Sequence, residues 1–153
     1  MPFHIVLVEP EIPPNTGNIA RLCAATGTVL HLVGKLGFSL TDKHLKRAGL
    51  DYWDSVVMHR WDSLTHLHSH FPNGRFWYTS KKAPLLYTAV SYLPGDFLVF
   101  GKETLGLPDE LLMSQRKSAV RIPIMNPEVR SLNLSTAAGI VLYEALRQAG
   151  RLF

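Results

Sequence analysis

Three stretches of this chain gather residues able to do chemistry. The first, PEIPPNTGNIARLC (Pro10–Cys23), holds Asn15 and, six residues on, Arg21. Arg21 falls two turns into an otherwise apolar segment, where a guanidinium must be paired or reach solvent. Its planar donors suit phosphate or carboxylate. The second, FGKETLGLP (Phe100–Pro108), places Gly101 and Gly106 five apart, as in a phosphate loop. No Gly-Lys-Ser/Thr follows, and no G-x-G-x-x-G occurs anywhere, so neither the Walker nor the dinucleotide fingerprint applies. What remains is a glycine-rich loop open to close backbone approach to a ligand, with Glu103 projecting from it either into the site or as a plain solvated carboxylate. The third, IPIMNPEVRSLNLS (Ile122–Ser135), offers Ser131, Asn133 and Ser135. Any one of them caps a helix; three together invite a ligand.

Other candidates carry less. His66, His68 and His70 form HLHSH. On a helix, His66 and His70 share a face opposite Leu64, Leu67 and Phe71 and lack a third ligand, so they read as a solvated face and no metal site is expected. Lys43, Lys46 and Arg47 make a small basic face, solvated or in salt-sensitive contact with RNA phosphate. Cys23, the single cysteine, lies on the apolar side of its helix with no base indicated. It excludes an intrachain disulfide and a multi-cysteine zinc site.

The elements that must position these groups alternate. Phe3–Val8 is an apolar run typical of a strand buried on both faces. Thr16–Thr26 has helical spacing, with Asn15 or Thr16 as cap and Gly27 as stop. Val29–Val33 is a strand. A short helix capped by Thr41 or Asp42 runs through Ala48. Ser55–His59 is a third strand, and Asp62 caps a helix carrying Leu64, Leu67 and Phe71. Phe76–Thr79 and Phe97–Phe100 are strands. Pro108 opens a helix over Asp109–Ser114. Val120–Ile124 is strand-like, and Leu134–Ala149 is a long amphipathic helix ended by Gly150. Such alternation predicts an α/β fold with a mostly parallel sheet and helices on both faces. Ligands then bind outside the strands' carboxyl ends, where all three loops fall.

The chain has 153 residues, enough for one domain. Sixteen Lys and Arg against 12 Asp and Glu give +4, a balance that permits a nucleic-acid partner without requiring one. No basic segment precedes the apolar N-terminal run, so no signal peptide is expected. No uncharged stretch reaches the ~18 residues of a membrane span. A soluble protein of a reducing compartment, the cytoplasm, is expected.

In this order, and from Phe3 to about Gly150, the three stretches resemble the signature motifs of the SPOUT superfamily of RNA methyltransferases. More narrowly, the chain is similar to the small tRNA wobble-nucleotide 2′-O-methyltransferases (the TrmL, or YibK-like, group), of which GFSLTDKHLKRAGLDY is also typical. The resemblance implies a C-terminal trefoil knot, a single domain over 1–153, S-adenosyl-L-methionine as cofactor, no metal, and a homodimer acting on the tRNA anticodon stem-loop. It implies 2′-O-methylation of a wobble cytidine or uridine. Carried over by position, it implies catalytic roles for Arg21, Glu103 and Asn133. Cofactor contacts fall to Tyr78, Thr79, Gly101, Ile122, Ser131 and Leu132, and RNA contacts to Asn15, Lys43, Arg47 and Tyr143. In that chemistry Arg21 acts through an RNA phosphate or by stabilising a developing alkoxide. Two residues depart from the pattern: Lys102 and Leu105 stand where relatives usually carry Pro and Arg. Three alternatives remain: a non-catalytic knotted binding module, methylation of another RNA ribose, and, on the α/β pattern alone, a flavodoxin-like nucleotide-binding domain.

Overall fold

The computed structural model describes residues 1–152, with side chains for 1–48 and 52–152. Seven strands form one sheet: β1 (His4–Val8), β2 (Val29–Val33), β3 (Met58–Trp61), β4 (Phe76–Thr79), β5 (Leu85–Leu86), β6 (Phe97–Phe100) and β7 (Ala119–Arg121). Their order is β3-β2-β1-β6-β4-β7-β5, and every pairing is parallel. The apolar runs of β1 and β6 are central because both of their faces are covered. Strand alternation sorts the side chains. Ile5, Leu7, Leu30, Leu32, Leu98 and Phe100 join one core. Val6, Val33, Tyr78, Phe97 and Val99 join the other.

Helices α1 (Pro13–Thr26) and α5 (Leu134–Gln148) cover the first face through Ile19, Ala20, Cys23, Ala138, Val141, Leu142 and Ala145. Helices α3 (Leu64–His70) and α4 (Asp109–Ser114) cover the second through Leu67 and Leu112. Helix α2 (Lys43–Gly49) packs beside α1, its first turn capped by Asp42 Oδ1 accepting from His44 N at 2.8 Å. Between β1 and β6 the winding direction reverses, and the loops after both strands lie side by side at that switch point. In open α/β sheets this crevice is where ligands bind.

Several elements differ from the sequence reading. Helix α1 starts at Pro13, not Thr16, with Ile12 as a cap that has no side-chain acceptor. The two prolines carry the preset φ of a first helical turn and have no N–H to satisfy there. Asn15 is therefore inside the helix and free for other work. The third strand is Met58–Trp61 rather than Ser55–His59, because Leu50–Ser55 coils as a 3-10 turn. Ser63, not Asp62, caps α3 through its hydroxyl. The last strand stops at Arg121, before Pro123, and β5 was not foreseen. Among the described residues no helix is long and apolar enough to cross a membrane.

Candidate active site

A cavity of about 580 Å³ opens at the carboxyl ends of β6, β4 and β7. All three motif loops reach it. Asn15, Thr79, Gly101, Glu103, Ile122, Ser131, Leu132 and Asn133 share its lining.

The loops are tied to one another by exchanged side chains. Glu103 Oε1 accepts from Glu11 N, and Oε2 from Ile12 N, both at 2.8 Å. These are the last two main-chain donors before the proline-initiated α1, so the carboxylate from the second loop replaces the cap that Ile12 lacks. In return, Glu11 Oε1 accepts from Thr104 N at 3.0 Å and from its hydroxyl at 2.8 Å. Those two bonds hold the Glu11 carboxyl below the ordinary carboxylate range. Lys102 adds an ion pair to Glu9 at 3.6 Å. Glu9 itself has φ 52°, a left-handed conformation that a non-glycine residue keeps only when its surroundings enforce it.

Asn15 links the third loop to the other two. Its Nδ2 donates to Glu103 Oε2 at 3.1 Å, and its Oδ1 accepts from Asn133 Nδ2 at 3.0 Å. Asn133 also caps α5, its Oδ1 accepting from Ser135 N and Thr136 N. One chain of bonds, Glu103–Asn15–Asn133, thus spans all three motifs. The second loop is rigid in its own right. Gly106 N donates to Lys102 O at 2.8 Å, and a Cβ on Gly101 would come within 2.1 Å of the Gly106 carbonyl carbon. Only glycine fits at 101. At the tip of this loop Leu105 stands 81% exposed.

Not every position carried over from the resemblance meets the cavity. Tyr78 turns to the other sheet face, where its hydroxyl and His68 Nε2 share a hydrogen bond of 3.0 Å. Burial pushes that hydroxyl up to about 12 and lowers His68, so both stay neutral. Arg21 lies on the solvent stripe of α1 with Pro14, Asn18 and Ala25, its guanidinium 5.1 Å from the Tyr52 ring centre. It is not surrounded by the apolar residues the sequence suggested. Tyr143, Lys43 and Arg47 are likewise exposed and absent from the lining. Asn15 does line the cavity, but it is buried and engaged at both ends of its amide.

The structure adds residues the sequence did not single out. Lys81, Lys82 and Arg130 line the cavity mouth. The available signal was Ser80-Lys81-Lys82 directly after a strand, and an arginine beside Ser131. Thr79 gains weight: its Oγ1 is buried with no hydrogen-bond partner while the residue lines the cavity. Such a hydroxyl is costly unless a ligand meets it. Among the described residues no group of three or more His, Cys, Asp or Glu is placed to hold a metal. His66 and His70 are exposed and lie beside Trp61, with ring centres 5.2 and 4.9 Å from it.

Known proteins share this chain's sequence and fold. Residues 2–143 match the model of the SpoU rRNA Methylase family. A tRNA (cytidine(34)-2′-O)-methyltransferase of Saccharophagus degradans is 53% identical over 152 residues, covering 97% of this chain and 96% of that protein. A solved structure described as structural insights into the 2-OH methylation of C/U34 on tRNA superposes with a TM-score of 0.90 at 44% identity, covering 95% of both chains. An AdoMet-bound rRNA methyltransferase from Sinorhizobium meliloti is similar at 26% identity and a TM-score of 0.83, covering 95% of this chain and 56% of that one.

Proposed function

The chain belongs to the SpoU rRNA Methylase family, and from that premise we propose that it methylates the 2′-hydroxyl of the wobble nucleotide, cytidine or uridine, in the anticodon of tRNA. The observation that carries this reading is the convergence of all three motif loops on one cavity lined by Thr79, whose buried hydroxyl has no partner. The near full-length kinship to a protein named for cytidine 34 supports the choice of nucleotide.

The cavity fits S-adenosyl-L-methionine. Its size falls within the ~300–1,000 Å³ of small-molecule sites. Ile122, Leu107 and Leu132 offer apolar wall, and Thr79 a polar contact. When bound, the cofactor supplies a sulfonium methyl group, an electrophile ready for in-line displacement. The protein's part is largely placement. Glu103 and Asn133 belong to it through the bonds that fix the three loops, so in this chain they position the site and do not move protons.

A homodimer completes the reading. On its own chain Arg21 faces away from the cavity, as does the exposed Tyr143 of α5. A second copy packed along these helix faces brings Arg21 to its partner's ribose. There the guanidinium anchors an RNA phosphate, which takes the 2′-hydroxyl proton as the oxygen displaces the thioether, and it stabilises charge developing on that oxygen. The knot is proposed on the strand order: β7 lies between β4 and β5, so the link 80–84 arches over its end, and Arg121 donates to the Pro84 carbonyl at 2.8 Å. The chain beyond Arg121 then leaves through that arch. The protein works in the cytoplasm, where tRNA matures.

The test is to incubate the purified chain with S-adenosyl-L-methionine and unmodified tRNA and to map ribose methylation. A methyl group at the wobble ribose is expected. Methylation elsewhere moves the assignment to another RNA ribose, and cofactor binding without transfer moves it to a binding module.

A further inference from the structure

Charges around the cavity do not cancel. Lys81, Lys82, Lys102 and Arg130 line it, with Glu103 and Asp109. Asp109 faces Lys82 at 3.3 Å, and Lys102 faces Glu9 at 3.6 Å. Glu103 accepts from the start of α1 and from Asn15. Among the described residues this leaves Lys81 and Arg130 without a carboxylate in ion-pair range.

The segments that carry these two cations are tied together. Lys81 Nζ donates to the main-chain carbonyl of Arg130 at 2.8 Å, joining the segment after β4 to the third motif loop. Like charges fixed on one side of a mouth repel, and an anion between them removes that cost. An ammonium and a forked guanidinium on one cavity rim both suit the oxygens of a phosphodiester. Both residues are exposed at the rim, reachable by a polymer, whereas the unpartnered Thr79 hydroxyl lies buried within. We propose that Lys81 and Arg130 seat a backbone phosphate of the bound RNA next to the ribose to be methylated. This rests on the reading of the chain as an RNA ribose methyltransferase.

The experiment compares the full chain with the Lys81→Ala/Arg130→Ala double variant. Affinity for an unmodified tRNA transcript is measured over a series of salt concentrations, and S-adenosyl-L-methionine is titrated separately by calorimetry. The variant is expected to lose about tenfold in tRNA affinity at low salt, with a log–log salt slope shallower by about 1 to 2. Cofactor affinity stays unchanged, which also shows that the variant is folded. Exchanging the cations, Lys81→Arg with Arg130→Lys, keeps the slope. An unchanged slope in the alanine variant would overturn the proposal. Loss of cofactor binding with tRNA affinity intact would overturn it too, giving the pair to the cofactor's carboxylate instead. If the unaltered chain binds no tRNA, the functional reading falls and the phosphate seat with it.

Discussion

The two faces of the sheet carry two polar networks of different character. On the face covered by α3, Trp61 Nε1 donates to His31 Nδ1 at 3.0 Å. That fixes the His31 proton on Nε2, which donates to His4 Nδ1 at 2.9 Å. His4 stacks on Phe97 and His31 meets Phe71 edge-on, and both ring nitrogens of the buried His31 find partners within the protein. At the cavity the loops are clamped just as firmly, through Glu11, Glu103, Asn15 and Asn133. Yet that network stops short: Thr79 Oγ1 has no partner, and Lys81 and Arg130 have no counter-charge. A buried ring whose hydrogen bonds are all met from within, like His31, serves the fold. A network held rigid but left incomplete serves a ligand, because the rest of its bonds must come from outside.

Acid attacks the His4–His31 pair and has the largest effect. Burial, with the charge of His59, pushes His4 down to about 4; burial, with the charges of His4 and His59, pushes His31 to about 3. Below their ordinary value of about 6.5 the unfolded chain binds protons that the folded chain refuses. Stability present above pH 6.5 is therefore lost as pH falls, by several kcal/mol on approaching pH 4. Urea unfolding between pH 7 and 4 measures it, and a flat profile would show that the imidazoles are not buried neutral. Gly101→Ala strikes the cavity instead. Its Cβ has no room against the Gly106 backbone, so the loop must open, and calorimetry should find cofactor affinity reduced by about 100-fold or more.

Glu103→Gln separates positioning from proton transfer. One amide N–H₂ must then face a main-chain N–H at the start of α1, so stability falls by about 1–2 kcal/mol together with turnover. A general base would lose turnover with thermal stability intact. The smallest effect is the most discriminating. Thr79→Val removes a buried hydroxyl that nothing in the protein satisfies, so stability holds or rises by up to about 1 kcal/mol, while cofactor affinity falls by about fivefold to tenfold. His31→Leu should do the reverse: it strands the Trp61 N–H, costing about 1–3 kcal/mol of stability with cofactor affinity unchanged.

Much of this was legible in the sequence. Val29–Val33, Phe76–Thr79, Phe97–Phe100 and Asp109–Ser114 have the bounds that apolar runs and Pro108 indicate. The three loops converge because parallel strands send all their carboxyl ends to one edge. What stayed hidden depended on long-range partners. β5 is only two residues long and exists because β7 pairs with it. The start of α1 at Pro13 depends on a carboxylate 92 residues away in sequence from Glu11. Arg21 and Tyr143 were grouped with the site by resemblance, but the direction a helical residue faces follows from which stripe packs, and here the packed stripe of α1 is Ile19, Ala20 and Cys23. Lys81 and Arg130, 49 residues apart, gain meaning only once the fold brings them together.

The contrast between the two faces is tested most directly by amide hydrogen exchange with and without S-adenosyl-L-methionine. The account predicts that the cofactor slows exchange in residues 101–107 and 130–134 and at Thr79, and leaves residues 58–71 beside the His4–His31–Trp61 chain unchanged. Slowed exchange around Trp61 with none in the motif loops would contradict it.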